Sequence, residues 1–160
     1  MTMSQGTLKD ELVGMGLFGE EAPAIAAWAA AFRAYMADAE APLGGVPINT
    51  AALGAPETAM AGAMAGLSNA GQAAAKIAAG ITAFWGAMAA SPAVYFTGAT
   101  AITPPAALTG LAAALAATFA ANVSSEASAS EAYDAIATDI DTANTGGTAT
   151  FPGPVVQTIE

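Results

Sequence analysis

The chain of 160 residues contains no cysteine and no histidine, and only three cationic side chains, Lys9, Arg33 and Lys76. Without cysteine there are no disulfides and no thiolate nucleophile. Without histidine the Ser-His-Asp arrangement and the usual imidazole metal ligands are excluded as well. Thirteen acidic residues set the net charge at −10 and the pI near 4.1. A surface of that sign repels phosphate, so nucleic acid is excluded as an electrostatic partner. Charged residues make up only 10% of the chain, against roughly 25% in ordinary soluble domains. That scarcity leaves much of an isolated monomer's surface uncharged and points to burial in an assembly or at a lipid boundary.

What is present is hydrophobic at 55%, and about half of that share is alanine. Alanine buries little area, so the six Phe, three Tyr, two Trp and seven Met, with scattered Leu, Ile and Val, supply most of the driving force. The length suits one domain. No charge occurs from Ile77 to Ser125, but Gly80, Gly86, Ser91-Pro92, Gly98 and Thr103-Pro104-Pro105 interrupt the run, and its alanines gain little from lipid. A membrane span is therefore disfavoured. Met1 to Gln5 has no basic segment leading into an apolar one, so no secretory signal is expected.

The pattern along the chain predicts helices with irregular interruptions. Thr7 and Asp10 suggest a capping box for a first helix ending near Gly14 to Gly16. Glu20, Glu21 and Pro23 suit a second helix start, and Ile25, Trp28, Phe32, Tyr35 and Met36 share one face of it. Residues 42 to 56, with Pro42, Gly44, Gly45, Pro47, Gly54 and Pro56, read as an extended linker. From Glu57 to Ala90 one long helix is expected, with a coiled-coil-like stripe from Met60 through Met64, Leu67, Ile81 and Trp85 to Met88, and with Gly62 and Gly66 permitting close helix approach. Val94 to Thr103 has strand-like composition around Gly98. Thr103-Pro104-Pro105 suggests the start of a further helix with a Leu108, Leu111, Leu115, Phe119, Val123 stripe. A last helix is expected from Ser125 to Asn144, with Ala129, Tyr133, Ile136 and Ile140 inward and Glu126, Glu131, Asp134, Asp139 and Asp141 on its wet face.

Four patterns carry residue types that chemistry could use. Gly14, Gly16 and Gly19 match G-x-G-x-x-G with Asp38 downstream, but a capped helical pattern precedes them, and Glu20 and Glu21 would oppose a pyrophosphate. Asp139, Asp141 and Asn144 hint at a calcium loop, but Ala143 and Gly146 miss the ligand positions and Thr150 stands where a bidentate Glu belongs. Glu126 and Glu131 form a carboxylate pair with nothing to raise a pKa. Lys76, a lone cation in apolar surroundings, reads as a snorkelling side chain in preference to a Schiff-base lysine. No catalytic, cofactor-binding or metal-ligating residue is assigned, and an enzyme is not expected.

The strongest positive signal is the tail. Beyond Gly146-Gly147, residues Thr148 to Phe151 and Val155 to Ile159 favour strands, while Pro152-Gly153-Pro154 is expected to stop them forming a regular hairpin. Thr148, Phe151, Val155, Val156 and Ile159 are therefore the candidate partner-binding residues of an extended arm, with strapping over the chain's own core as the alternative. The expected fold is mainly α. It is an Ala-rich helical bundle over residues 1 to 145, with the extended linker at 42 to 56 and the extended C-terminal arm at 146 to 160.

The order Phe84-Trp85-Gly86, Ala99-Thr-Ala-Ile-Thr-Pro-Pro105, an acidic helix, then Gly146-Gly-Thr-Ala-Thr-Phe-Pro-Gly-Pro154 resembles small virion proteins encoded among the head and tail genes of tailed bacteriophages. The likeness covers the last half of the chain. It implies a non-enzymatic structural role as capsid cement or decoration, connector, or tail or baseplate accessory, in a protein made in the host cytoplasm and located in the virion. The partners implied are other virion structural proteins and copies of the chain itself, with no cofactor. The alternative from another class is a secreted or cell-surface helical interaction protein, for which Ala-rich helical hairpins with a Trp-Gly turn offer an analogy, although Phe84-Trp85-Gly86 lies here inside a helix pattern and not between two helices.

Overall fold

The computed structural model describes residues 3–14, 20–41, 45–69, 71–153 and 155–160, and they form a mainly helical fold around a single hydrophobic core. Helix α1 spans Gln5–Gly14 and buries Leu8 and Leu12. Its cap is Ser4, whose Oγ accepts from the Thr7 amide at 3.1 Å, so Thr7 lies inside the first turn and the expected Thr7–Asp10 box does not form. Helix α2, Glu21–Met36, buries Trp28, Phe32, Tyr35 and Met36 as the spacing requires. The Phe32 ring meets Phe84 edge-on at 5.0 Å between centroids, a geometry favoured by the aromatic quadrupole.

The described part of the 42 to 56 segment is not an extended linker. Strands β1 (Glu40–Ala41) and β2 (Val46–Pro47) pair antiparallel, and a 3₁₀ turn at Thr50–Leu53 leads directly into α3, Gly54–Ala63. Ile48 and Leu53 are buried. The Ile48 amide donates to the Ala39 carbonyl, and the Asn49 amide donates to that of Tyr95. Buried apolar side chains and main-chain partners hold this segment on its own core despite the Pro and Gly content; Pro42 and Gly44 lie outside the described residues.

The long helix expected from Glu57 to Ala90 is an αα-hairpin: α3 ends at Ala63 and α4 runs Ala73–Ala90. Gly66, at φ 88°, takes the left-handed conformation that turns the chain. Turning at Gly66 folds α3 back on α4 within one chain, with Met60 and Met64 against Gly80. The close approach falls at Gly80, where an added Cβ would lie 2.6 Å from Met64 Cγ, whereas Gly62 faces open space. Helix α4 is the centre of the molecule, burying Ile77, Ile81, Phe84, Trp85 and Met88 and packing on both α3 and α6 (Leu108–Ser125).

A short helix α5, Pro92–Tyr95, absorbs residues expected to be strand-like, and only Ala101–Thr103 forms β3. Thr103 thus belongs to a strand, and α6 starts five residues later, after Pro104-Pro105. Glu126, expected on the last helix, instead ends α6 in the left-handed region at φ 51°. Helix α7, Ala129–Asn144, opens on a reciprocal capping box between Ser128 and Glu131.

The tail departs most from expectation. Strands β4 (Thr148–Phe151) and β5 (Val155–Thr158) form an antiparallel hairpin, and β3 pairs with the other side of β4, giving the order β3-β4-β5. Gly153, at φ 96°, supplies the turn, so the Pro-Gly-Pro segment connects the strands where it was expected to keep them apart. Ala149 and Ile159 join the same core as the helices. The residues of the expected arm are therefore packed on the protein's own body.

Candidate interaction surface

The hairpin is seated by one buried constellation. The Trp85 indole Nε1–H donates to Asn144 Oδ1 at 2.6 Å, and Asn144 Nδ2–H donates to the Ile140 carbonyl at 2.7 Å. Asn144 thus joins α4 to the last turn of α7, with every bond inside the core. Three residues later the chain crosses the indole, and a Cβ on Gly147 would lie 2.6 Å from Trp85 Cη2. Only glycine lets the backbone pass so close.

From that point the five tail residues divide. Ile159 is buried at 1% exposure, Thr148 and Phe151 are half-buried, and Val155 and Val156 are exposed at 39% and 58%. Ile159 is thus part of the core and Phe151 packs at its margin, and the solvent-facing apolar surface of the tail reduces to two valines on β5.

The other apolar surface is α6. Leu108, Leu111 and Leu115 face inward and are buried, Phe119 is partly buried, and Val123 is 81% exposed. The outward positions, among them Ala113, Ala117 and Ala120, are small, exposed and uncharged. By length and composition, both α4 and α6 would reach across a membrane, each with a mean hydropathy of 1.3 over 18 residues; 44% of the α4 window is buried inside the fold against 17% of the α6 window. Most of α6 is consequently presented outward.

The acidic face of α7 is less wet than its sequence suggests, because neighbouring elements supply donors. Asp134 pairs with Lys9 at 3.2 Å, Asp139 accepts from Thr118 at 2.6 Å, and Asp141 accepts from the Tyr35 hydroxyl at 2.8 Å. Asp139, Asp141 and Asn144 therefore point to three different elements from a continuous helix, which is not the geometry of a calcium loop. Among the described residues no group of three or more acidic side chains is placed to hold a metal ion. Burial, the adjacent Asp141 charge and the donated bond all hold the Tyr35 phenol in its protonated form, its pKa well above the ordinary value. Tyr35 and Asp141 line an open cavity of about 250 Å³ together with Met3, Thr145 and Ile159.

Gly14 closes α1, so a helix stands where a nucleotide fold needs a strand; Gly16 and Gly19 lie outside the described residues. Glu131 is engaged in its capping box, whose bonds from Ser128 lower its pKa, and Glu126 sits at the end of α6. Lys76 extends along the turn at Gly66, where its charge helps to lower the pKa of Glu21. The Glu21 carboxylate accepts from the Ser68 hydroxyl, the Gly66 amide at 2.7 Å and the Ser68 amide at 3.2 Å. That clamp ties the start of α2 to the α3–α4 turn. Its signal in the sequence, a Glu in the first turn of a helix and a Gly-x-Ser forty-five residues on, has no local periodicity to reveal it.

No family model, curated protein or solved structure matches the chain.

Proposed function

We propose that the chain is a non-enzymatic structural protein that acts by assembly, a virion component of a tailed bacteriophage serving as capsid cement or decoration, connector, or tail or baseplate accessory. The observation that carries this reading is the outward face of α6: an 18-residue, charge-free helix, mostly exposed, on a chain whose net charge is −10. Like-charged copies repel one another everywhere except across such neutral surfaces, and symmetric assemblies multiply a weak contact into a stable one. Partners are other virion structural proteins and copies of the chain itself, reached after synthesis in the host cytoplasm. The polar groups between elements support the same reading, since Asn144, Tyr35 and the partly exposed α7 carboxylates serve as ties.

The alternative is a secreted or cell-surface interaction protein, whose Trp-Gly hairpin analogy is weak here. Phe84 and Trp85 are fully buried in the middle of α4, and Gly86 continues the same helix, so Trp-Gly makes no hairpin turn here.

The test is recovery of the chain, by mass spectrometry, in particles purified from cells that encode it. Stoichiometric recovery is expected, with loss on substituting Val123→Lys in the α6 face. Particles complete without the chain would overturn the reading.

A further inference from the structure

A groove of about 150 Å³ runs between α6 and α7. Helix α6 contributes Gly110 and Ala114, four residues apart and therefore on one face, and α7 contributes Asp139, Thr142 and Ala143. Small side chains leave the space between the two helices unfilled; a Cβ on Gly110 would meet nothing within 4 Å. One oxygen of Asp139 accepts from the Thr118 hydroxyl, and the other has no hydrogen bond or ion pair among the described residues. The last turn of α7, to which Thr142 and Ala143 belong, holds no basic residue, so nothing on that helix offsets the negative end of its dipole. The groove is apolar along α6 and negative at Asp139.

We infer that this groove takes a lysine side chain of a different protein, with the alkyl stem over Gly110, Ala114 and Ala143 and the ammonium on Asp139. This deepens the assembly reading above and rests on it, since the groove opens beside the exposed Ala113 and Ala117 of the α6 face. Charge complementarity selects the occupant. An acidic side chain is repelled by Asp139, and an uncharged one leaves that carboxylate without a counter-charge. Lysine has the required form, a compact ammonium with three donors on an unbranched stem, where arginine brings a wide planar fork. Asp139 and the exposed Thr142 hydroxyl supply the acceptors. A second copy of the chain has no cationic side chain to spare. Lys9 is held by Asp134 at 3.2 Å, Arg33 is held by Glu57 at 2.8 Å, and Lys76 lies along the Gly66 turn beside Glu21; the sequence has no fourth. A single exposed ion pair binds weakly, so the lysine sets the register of a partner that the α6 face holds.

Two variants separate the charge from the space. Asp139→Asn removes the charge and keeps an oxygen for Thr118, and Gly110→Leu fills the groove with a residue that favours a helix more than glycine does. The probe is Nα-acetyl-lysine amide, titrated into the full chain to high millimolar concentration and followed by amide NMR. Saturable shifts are expected at Gly110, Ala114 and Ala143, weakening with added salt, with none from Nα-acetyl-norleucine amide, which has the stem without the charge. Binding is expected to be weaker by about threefold or more in Asp139→Asn and lost in Gly110→Leu, with helical circular dichroism unchanged in both. Both variants are also expected to be depleted from purified particles. No saturable shift, or equal shifts with the norleucine compound, overturns the inference and leaves the assembly reading in place. Amine binding with both variants recovered at wild-type stoichiometry makes the groove a site for small amines and overturns docking. Complete particles that lack the wild-type chain overturn the assembly reading, and docking falls with it.

Discussion

Trp85 and Asn144 are joined at 2.6 Å across the centre of the protein, and Gly147 lies against the far side of the same indole. This pairing decides how the C-terminal hairpin is seated, because α7 ends at Asn144 and the chain must cross Trp85 before β4 begins. Asn144→Ala leaves the indole N–H buried without its acceptor, an expected loss of about 1–3 kcal/mol. Gly147→Ala drives a methyl into the ring, with an expected cost of about 1–3 kcal/mol from overpacking. Urea unfolding of the two variants checks both values. A Gly147→Ala protein as stable as wild type would show that the indole yields freely and does not act as a seat.

The clamp from Glu21 to Gly66 and Ser68 predicts an acid-side dependence. The hydrogen bonds from the Ser68 hydroxyl and from the Gly66 and Ser68 amides, with the Lys76 charge nearby, hold its carboxyl below the ordinary carboxylate range. A carboxyl whose pKa is lower in the folded state contributes stability above its unfolded pKa, and the contribution is lost as pH falls through the folded value. Glu21→Gln is therefore expected to melt below wild type at neutral pH, with the gap narrowing on acidification and with added salt. Thermal melts across the acidic range test this, and a gap that widens on acidification contradicts the clamp.

Tyr35 predicts behaviour on the alkaline side. Its phenol is buried and donates to Asp141, so ionisation would place two negative charges together in the interior. A phenol with a raised folded pKa contributes stability that is fully present below the unfolded value of about 10 and is lost progressively as pH rises from there through the folded value. Ultraviolet titration is expected to show Tyr35 ionising only as the protein unfolds, and Tyr35→Phe is expected to leave the native-state titration curve unchanged. Ionisation of Tyr35 in the folded protein near pH 10 would place its hydroxyl in solvent.

Much of the helical content was legible because it is local. The three-and-four spacing of Trp28, Phe32, Tyr35 and Met36 predicts the buried face of α2, and the acidic α7 with its inward Ile136 and Ile140 is equally plain. The core position of Phe32 yields a direct check: Phe32→Ala is expected to cost about 3–5 kcal/mol, and an unchanged melting temperature would move that face out of the core. What failed to show was non-local. One stripe of apolar residues from Met60 to Met88 fits a single long helix and a helical hairpin equally well, and the choice rests on Gly66 turning left-handed with Glu21 reaching over from another helix. Asp134, Asp139 and Asp141 look solvated until Lys9, Thr118 and Tyr35 arrive from elsewhere in the chain. The five tail residues had the right β preference and the wrong partner, because a Pro-Gly-Pro connection between strands is read locally as a barrier, while the pairing of β4 with β3, nearly fifty residues away, has no local signature.

That last difference reverses the expected outcome of removing the tail. An arm that only reached a neighbour would leave the protomer's stability unchanged when deleted. Here Ala149 and Ile159 are buried, β4 is the central strand of its sheet, and Glu160 bonds to Glu40 in the first hairpin. Deleting residues 148 to 160 is therefore expected to destabilise the helical body itself. Each fully buried large side chain that is lost contributes roughly 1.5–3 kcal/mol, and the removal also uncovers the Trp85 face beneath the hairpin. Ile159→Ala isolates the apolar part, at an expected 2–5 kcal/mol, roughly, from transfer and cavity terms together. Val155→Thr, on an exposed position of β5, is expected to fall within about 0.5 kcal/mol of wild type. Thermal and denaturant unfolding of the three proteins gives the ranking: deletion largest, Ile159→Ala intermediate and Val155→Thr near zero. A deletion protein that keeps the wild-type melting temperature would show that the hairpin is not part of the folded core and would restore the free arm.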